Sequence, residues 1–182
     1  MLLILSSTIL VLAQQKIHEQ EYLRMVGDIP FDPKLDDTTF IPCDEQRAMP
    51  YNKNGGSLCI DGGKDFVNEY FAKGFKPGKV KGQTGWITVR FMVSCKGESG
   101  RFRMESMNRN YQPMQFDSSI TRQLMTLCKS LKGWEVFQVG KESRMVPLFI
   151  DNPDTTSVIK AYDYYQRLTF KMKDGAIELI LP

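Results

Sequence analysis

Histidine is almost missing from this chain of 182 residues, where His18 is the only one. Cys43, Cys59, Cys95 and Cys128 are too far apart for a Cys-x-x-Cys motif, so a Cys/His metal site has too few ligands to draw on. His18 is likewise the only imidazole that could activate Cys95 or Cys128 as a nucleophile, and structural pairing or inert burial is expected instead. Gly-rich phosphate loops, a Gly-x-Ser-x-Gly elbow and a His-Glu-x-x-His pair do not occur. Gly55-Gly56 and Gly62-Gly63 lack the Lys-Ser or Lys-Thr of a phosphate site and read as turns. The carboxylate pairs Asp61/Asp65 and Asp151/Asp154 stand in turn or helix-start contexts, where capping accounts for them. Also lacking are internal repeats, a Pro-rich spacer and any apolar run of the ~20 residues that a spanning helix needs. The chain is therefore expected to be non-catalytic, with no cofactor, metal or small-molecule substrate; a cysteine-dependent enzyme ranks third, behind the binding and structural readings given below.

What is present suits a folded, exported protein. The composition, 42% hydrophobic and 25% charged, is that of a globular domain able to bury a core. Met1 to Ala13 carries no charge and is mostly Leu, Ile and Val, the composition of a signal-peptide core, and polar Gln14-Gln15-Lys16 follows the small Ala13. It lacks a basic n-region, which a true start lying upstream would supply. Export places the cysteines where disulfides persist. Four cysteines allow three connectivities; the pair expected is Cys43 with Cys59, both in a stretch containing Gly, Asn and Pro. The net charge of +3 hides an asymmetry: residues 14–75 hold eleven acidic and seven basic side chains, whereas residues 76–109 hold eight basic and only Glu98 and Glu105. The basic stretch has aromatic neighbours, but an exported chain is not expected to meet nucleic acid. Arg101 and Arg103 are read as a solvated strand face, and Trp86 and Trp134 as core.

From Gln14 to about Ile60, Pro30, Pro33, Pro42 and Pro50 interrupt any periodicity, so residues 14–60 read as an irregular extension before a domain spanning 61–182. A helix is predicted from Lys64 to Lys73, where Phe66/Tyr70 and Val67/Phe71 recur four residues apart, with Gly74 as its stop. Trp86 to Ser94 alternates Ile87, Val89, Phe91 and Val93 against Thr88, Arg90 and Ser94. After the turn residues 95–100, Phe102 and Met104 alternate with Arg101, Arg103 and Glu105, so the two runs read as a hairpin. Asp117, Ser118 and Ser119 offer caps to a second helix whose stripe is Ile120, Leu124, Leu127 and Leu131, with Gly133 as its stop. An apolar run, Met145 to Ile150, and a loop, Asp151 to Asp154, come next. Leu168, Phe170 and Met172 then alternate with Arg167, Thr169 and Lys171, and Asp174-Gly175 joins them to Ile177 and Leu179 in a second hairpin. The fold class expected is α+β, a three- or four-stranded antiparallel sheet packed against two helices.

The succession from about Tyr70 to Phe170 resembles the C-terminal domain of TonB-type proteins of the bacterial envelope. The likeness is carried by Gly85-Trp86-Ile87-Thr88-Val89-Arg90-Phe91-Met92-Val93 as a first long strand and Lys96 to Phe102 at its hairpin turn. Phe116-Asp117, the Ile120, Leu124 and Leu131 stripe, Trp134 and Gly140-Lys141 continue it. A proline usual soon after the tryptophan is replaced by Glu135-Val136-Phe137, and about twenty residues are inserted before the last strand, Tyr165 to Met172. The resemblance implies an envelope protein-binding domain associated with outer-membrane transport. It would bind by β-augmentation, a partner peptide adding a strand to a sheet edge. The matching edge is Tyr165 to Met172, with Arg167, Thr169, Lys171 and Lys173 on its polar face. If Ala176 to Leu181 folds back on it, the binding edge is either the new outer strand or capped. The partner implied is an outer-membrane transporter or another envelope protein, and the location implied is the periplasm, with membrane association as an alternative. The alternatives are a structural envelope protein that pairs its edges in a homodimer, and an anchored energy transducer if the start lies upstream.

Overall fold

Strict alternation over nine residues places Ile87, Val89, Phe91 and Val93 on one side of a strand, and all four are buried at the centre of the molecule. This is β1, Gly85–Val93, in the computed structural model, which describes residues 28–50, 58–77, 81–139 and 160–182. The expected signal segment 1–13, His18, the polar break at 52–56, Gly140-Lys141, and the run and loop of 145–154 lie outside the described residues. β1 pairs antiparallel with β2, Ser99–Met107, and with β5, Tyr164–Lys173; β5 pairs in turn with β6, Ala176–Leu181. The sheet order is β2-β1-β5-β6. Two helices, α1 (Gly63–Gly74) and α2 (Ser118–Ser130), share a core with one face of this sheet, so the α+β expectation is met with four strands. Among the described residues no helix is long and apolar enough to cross a membrane.

Local chemistry sets both helices. α2 starts where the Asp117 carboxylate accepts from the Ser119 N–H at 2.8 Å, an N-cap, and ends at Leu131, two residues before the expected Gly133 stop. Its buried stripe is Ile120, Leu124 and Cys128. Leu127, half-buried, meets α1 instead: a Cβ on Gly74 would lie 2.6 Å from its Cδ2. Phe71 of α1 sits edge-on to Phe170 of β5, ring centroids 4.9 Å apart. Trp134 is core, as expected, and with Phe102 flanks Phe91 at 4.9 and 5.0 Å. A small second sheet, β3 (Phe137–Val139) with β4 (Lys160–Tyr162), had no periodic signal in three-residue strands.

The other face of the sheet is where the sequence reading needs correction. Met92, on the face opposite Phe91, is buried with Ile29, Ala48 and Tyr165 in a second small core. Residues 28–50 form a strap across this face, and Met49, Cys59 and Ile60 enter the main core. The stretch 14–60 is thus not a mere extension in its described part: the domain begins before residue 61. The strap is docked by main-chain bonds, Met49 N–H to the Asp163 carbonyl (2.8 Å) and Tyr165 N–H to the Met49 carbonyl (2.9 Å). The buried Asp163 carboxylate accepts from the N–H groups of Asp44 (2.7 Å) and Cys95 (2.8 Å). That alignment brings Cys43 to Cys95, Cα atoms 6.0 Å apart, and these two form the disulfide. The expected Cys43 with Cys59 pair is therefore corrected: Cys59 and Cys128 are buried and take no part in a disulfide. The Cys128 thiol is pushed up by burial, which makes it inert rather than nucleophilic.

Arg101 and Arg103 do not occupy a solvated face. A bulge opposite Phe91, with Arg101 at φ 55°, breaks the alternation of β2 and lets both arginines reach under the strap. Arg101 pairs with both carboxylate oxygens of Glu45, and Arg103 with both of Asp36, at 2.6 and 2.7 Å. The Asp36 carboxyl is held below its ordinary 3.8, first by the hydrogen bond from Arg103. A depressed folded value adds stability that is complete above the unfolded value and is lost as pH falls through the folded one. The urea midpoint is therefore expected to fall on acidification between about pH 5 and pH 2. The fall should be shallower in Asp36→Asn. An equal pH slope in the variant would show that other carboxylates carry it.

Candidate functional site

The last hairpin decides where the sheet is open. Asp174 (φ 48°) and Gly175 (φ 80°) are both left-handed, the conformation that lets a two-residue turn follow the twist of its strands. The turn is anchored by Gly175 N–H to the Gln83 carbonyl at 2.9 Å and by Asp174 N–H to the Thr84 hydroxyl at 3.0 Å. Chain reversal at this point lays Ala176–Leu181 along β5. Arg167, Thr169, Lys171 and Lys173 therefore lie on an interior strand, between β1 and β6, and not on an edge. The assignment of the edge to Tyr165–Met172 is corrected; the outer strand is β6. All four side chains project from the face away from the helices, as the alternation implied.

The two sheet edges differ. Beside β2, the loop that follows it turns back: Met114 N–H donates to the Ser106 carbonyl at 3.1 Å and the Ser106 hydroxyl to the Met114 carbonyl at 2.6 Å. Beside β6, no strand pairs with the outer side among the described residues. The edge is six residues long and bulged at Ile177 and Glu178, where the register against Lys171 and Met172 shifts. Alongside it runs a groove of about 390 Å³. One wall is α1, with Asn68, Phe71 and Ala72, continuing to Phe75 and Pro77; the other is Ile177 to Ile180. Ala72 on the α1 wall stands open to solvent, and Leu179, paired with Lys171 and so on the face away from the helices, is 40% exposed.

An open strand edge offers alternate N–H and C=O groups, and a neighbouring strand would sit about 4.8 Å away. Its side chains would fall alternately toward the α1 wall and toward the opposite face. Nothing in the groove supplies a nucleophile with a base. Cys43, Cys95 and the Asp163 carboxylate cluster closely enough to suggest a metal, but both sulfurs are spent in the disulfide and both Asp163 oxygens accept N–H bonds. The Asp-Gly signal found this site in the sequence. The α1 wall was missed, because Phe71 read only as helix stripe and Gly74 only as the helix stop.

Comparison with protein-family models, with curated proteins and with solved structures finds no match for this chain.

Proposed function

We propose that this chain is a non-catalytic protein-binding domain of the bacterial envelope, TonB-like in its mode of action, that captures an extended segment by strand addition at β6. The observation that carries the reading is the open β6 edge lying beside a groove walled by α1. Main-chain pairing to the edge supplies affinity without sequence preference, and side chains falling toward the α1 wall, against Ala72 and Ile177, supply selectivity. The Cys43–Cys95 bridge is compatible with an oxidising compartment such as the periplasm. The partner in this reading is an outer-membrane transporter or another envelope protein that exposes a short extended segment.

The test is an amide NMR titration of the isotope-labelled chain with extended, apolar-rich peptides taken from the N-terminal segments of outer-membrane transporters. Saturable shifts at Ala176–Leu181 and Phe75 are expected. An Ala72→Trp variant, which fills the groove from an exposed position, should weaken them at least ~10-fold, about 1.4 kcal/mol. Absence of shifts at millimolar peptide would sink the reading. The same edge could pair with that of a second copy, as isologous dimers do. A sedimenting dimer that Leu179→Pro converts to monomer, with no peptide binding, would replace the adaptor by a self-associating envelope protein.

A further inference from the structure

On the sheet face away from the helices, a separate hollow of about 260 Å³ opens between the start of β1, the end of β5 and the loop after β2. Three cations border it, Arg109, Lys171 and Lys173, with one carboxylate, Glu178. Lys171 binds that carboxylate at 2.9 Å and also lies over the Trp86 ring, 6.0 Å from its centroid. Among the described residues no ion pair engages Arg109 or Lys173. Their field, with that of Lys171, reaches Glu178 and helps hold its carboxyl below the usual range, after the direct hydrogen bond from Lys171. The hollow is therefore left with two uncompensated positive charges.

The loop above it is ordered for presentation. Asn108 Oδ1 accepts from the N–H groups of Asn110 (2.8 Å) and Gln112 (3.1 Å), and Tyr111 N–H donates to the Asn108 carbonyl at 3.1 Å. These bonds hold Tyr111 at φ 59°, a left-handed conformation that a bulky residue adopts only when its surroundings impose it. The outcome is an aromatic side chain 75% exposed at the rim, where hydrophobic burial has not been used. Such strain concentrates at binding sites.

We infer that this hollow binds a phosphorylated sugar. A phosphate dianion matches the two free cations, Arg109 offering a fork of N–H donors and Lys173 a point charge. The apolar face of a sugar ring matches the exposed Tyr111 ring. The phosphosugar of a lipid headgroup and a free sugar phosphate share this chemistry. The site lies on the far side of β5 and β6 from the α1 groove, and the inference does not rest on peptide capture there.

The experiment follows the Trp86 indole N–H and the Gly85 amide of the full chain by NMR during titration with glucose 6-phosphate, glucose and inorganic phosphate. Saturable shifts with Kd below about 1 mM are expected for the sugar phosphate, at least tenfold weaker for phosphate, and none for glucose. Arg109→Gln and Lys173→Gln, both at exposed positions, should each weaken the sugar phosphate about tenfold. Tyr111→Ala should bring the sugar phosphate down to the level of phosphate and leave phosphate itself unchanged. With that pattern in hand, vesicles carrying a phosphosugar headgroup distinguish the sources: competition for the shifts assigns a lipid, and its absence a free metabolite. Equal binding of phosphate and sugar phosphate in the unsubstituted chain, or shifts unaltered by Arg109→Gln and Lys173→Gln, would overturn the assignment.

Discussion

Replacing Cys43 and Cys95 together by Ala is expected to lower the melting temperature by roughly 8–16 °C. The bridge closes a loop with a sequence separation of 52 residues. Chain entropy assigns such a loop about 4 kcal/mol of stabilisation, and a protein of this size shifts about 2–4 °C per kcal/mol. The loop tied down is the one that matters. The bridge fixes the strap over Met92 and Tyr165, and without it residues 28–50 must hold to the sheet by main-chain bonds at Met49 and the two arginine pairs. Calorimetry of the oxidised protein and of the double variant measures the difference. Cys59→Ala is the informative companion, because Cys59 lies buried beside Ile60 and outside the disulfide. That single variant should keep the bridge, as an intact mass two hydrogens below the reduced chain would report. If Cys59→Ala abolished the bridge, or the double variant melted within about 2 °C of the parent, the pairing described would be wrong.

The difference between the bridge expected and the bridge observed shows which parts of this fold are written locally. The Asp174-Gly175 hairpin, the Asp117 cap and the alternation of β1 are each settled within about ten residues, and each was read correctly from the sequence. The strap is settled by partners 52 to 72 residues away: Cys43 with Cys95, Glu45 with Arg101, Asp36 with Arg103, and Ile29 with Arg101. No periodicity reports such pairings. A trace was nonetheless present in the charge asymmetry between residues 14–75 and 76–109, since the acidic stretch supplies Asp36 and Glu45 and the basic stretch supplies their arginines. The candidate site divides the same way. The edge strand was legible as the second arm of a hairpin, whereas the groove exists only because α1, more than a hundred residues earlier in the chain, packs beside that strand.

The pair most exposed to this non-local logic gives the second large effect. The Arg101 side chain is 5% exposed, beneath a strap whose Glu45 is 46% exposed. Glu45→Ala removes both carboxylate oxygens and leaves the guanidinium only the Ile29 carbonyl, at 3.2 Å, besides the Phe31 ring at 5.7 Å. A buried charge without its counter-charge costs about 3–5 kcal/mol, and the partial exposure of Glu45 brings the expected loss to about 2–3 kcal/mol. The cost belongs to the stranded charge more than to the missing contact. Glu45→Ala combined with Arg101→Met should therefore be more stable than Glu45→Ala alone, because an unbranched apolar side chain can fill the same space against Ile29 without a desolvated cation. Urea denaturation of the parent, both single variants and the double variant completes the cycle. A double variant as unstable as the sum of the singles would mean that Glu45 and Arg101 act independently, and that the strap is held by its bridge and its apolar contacts alone.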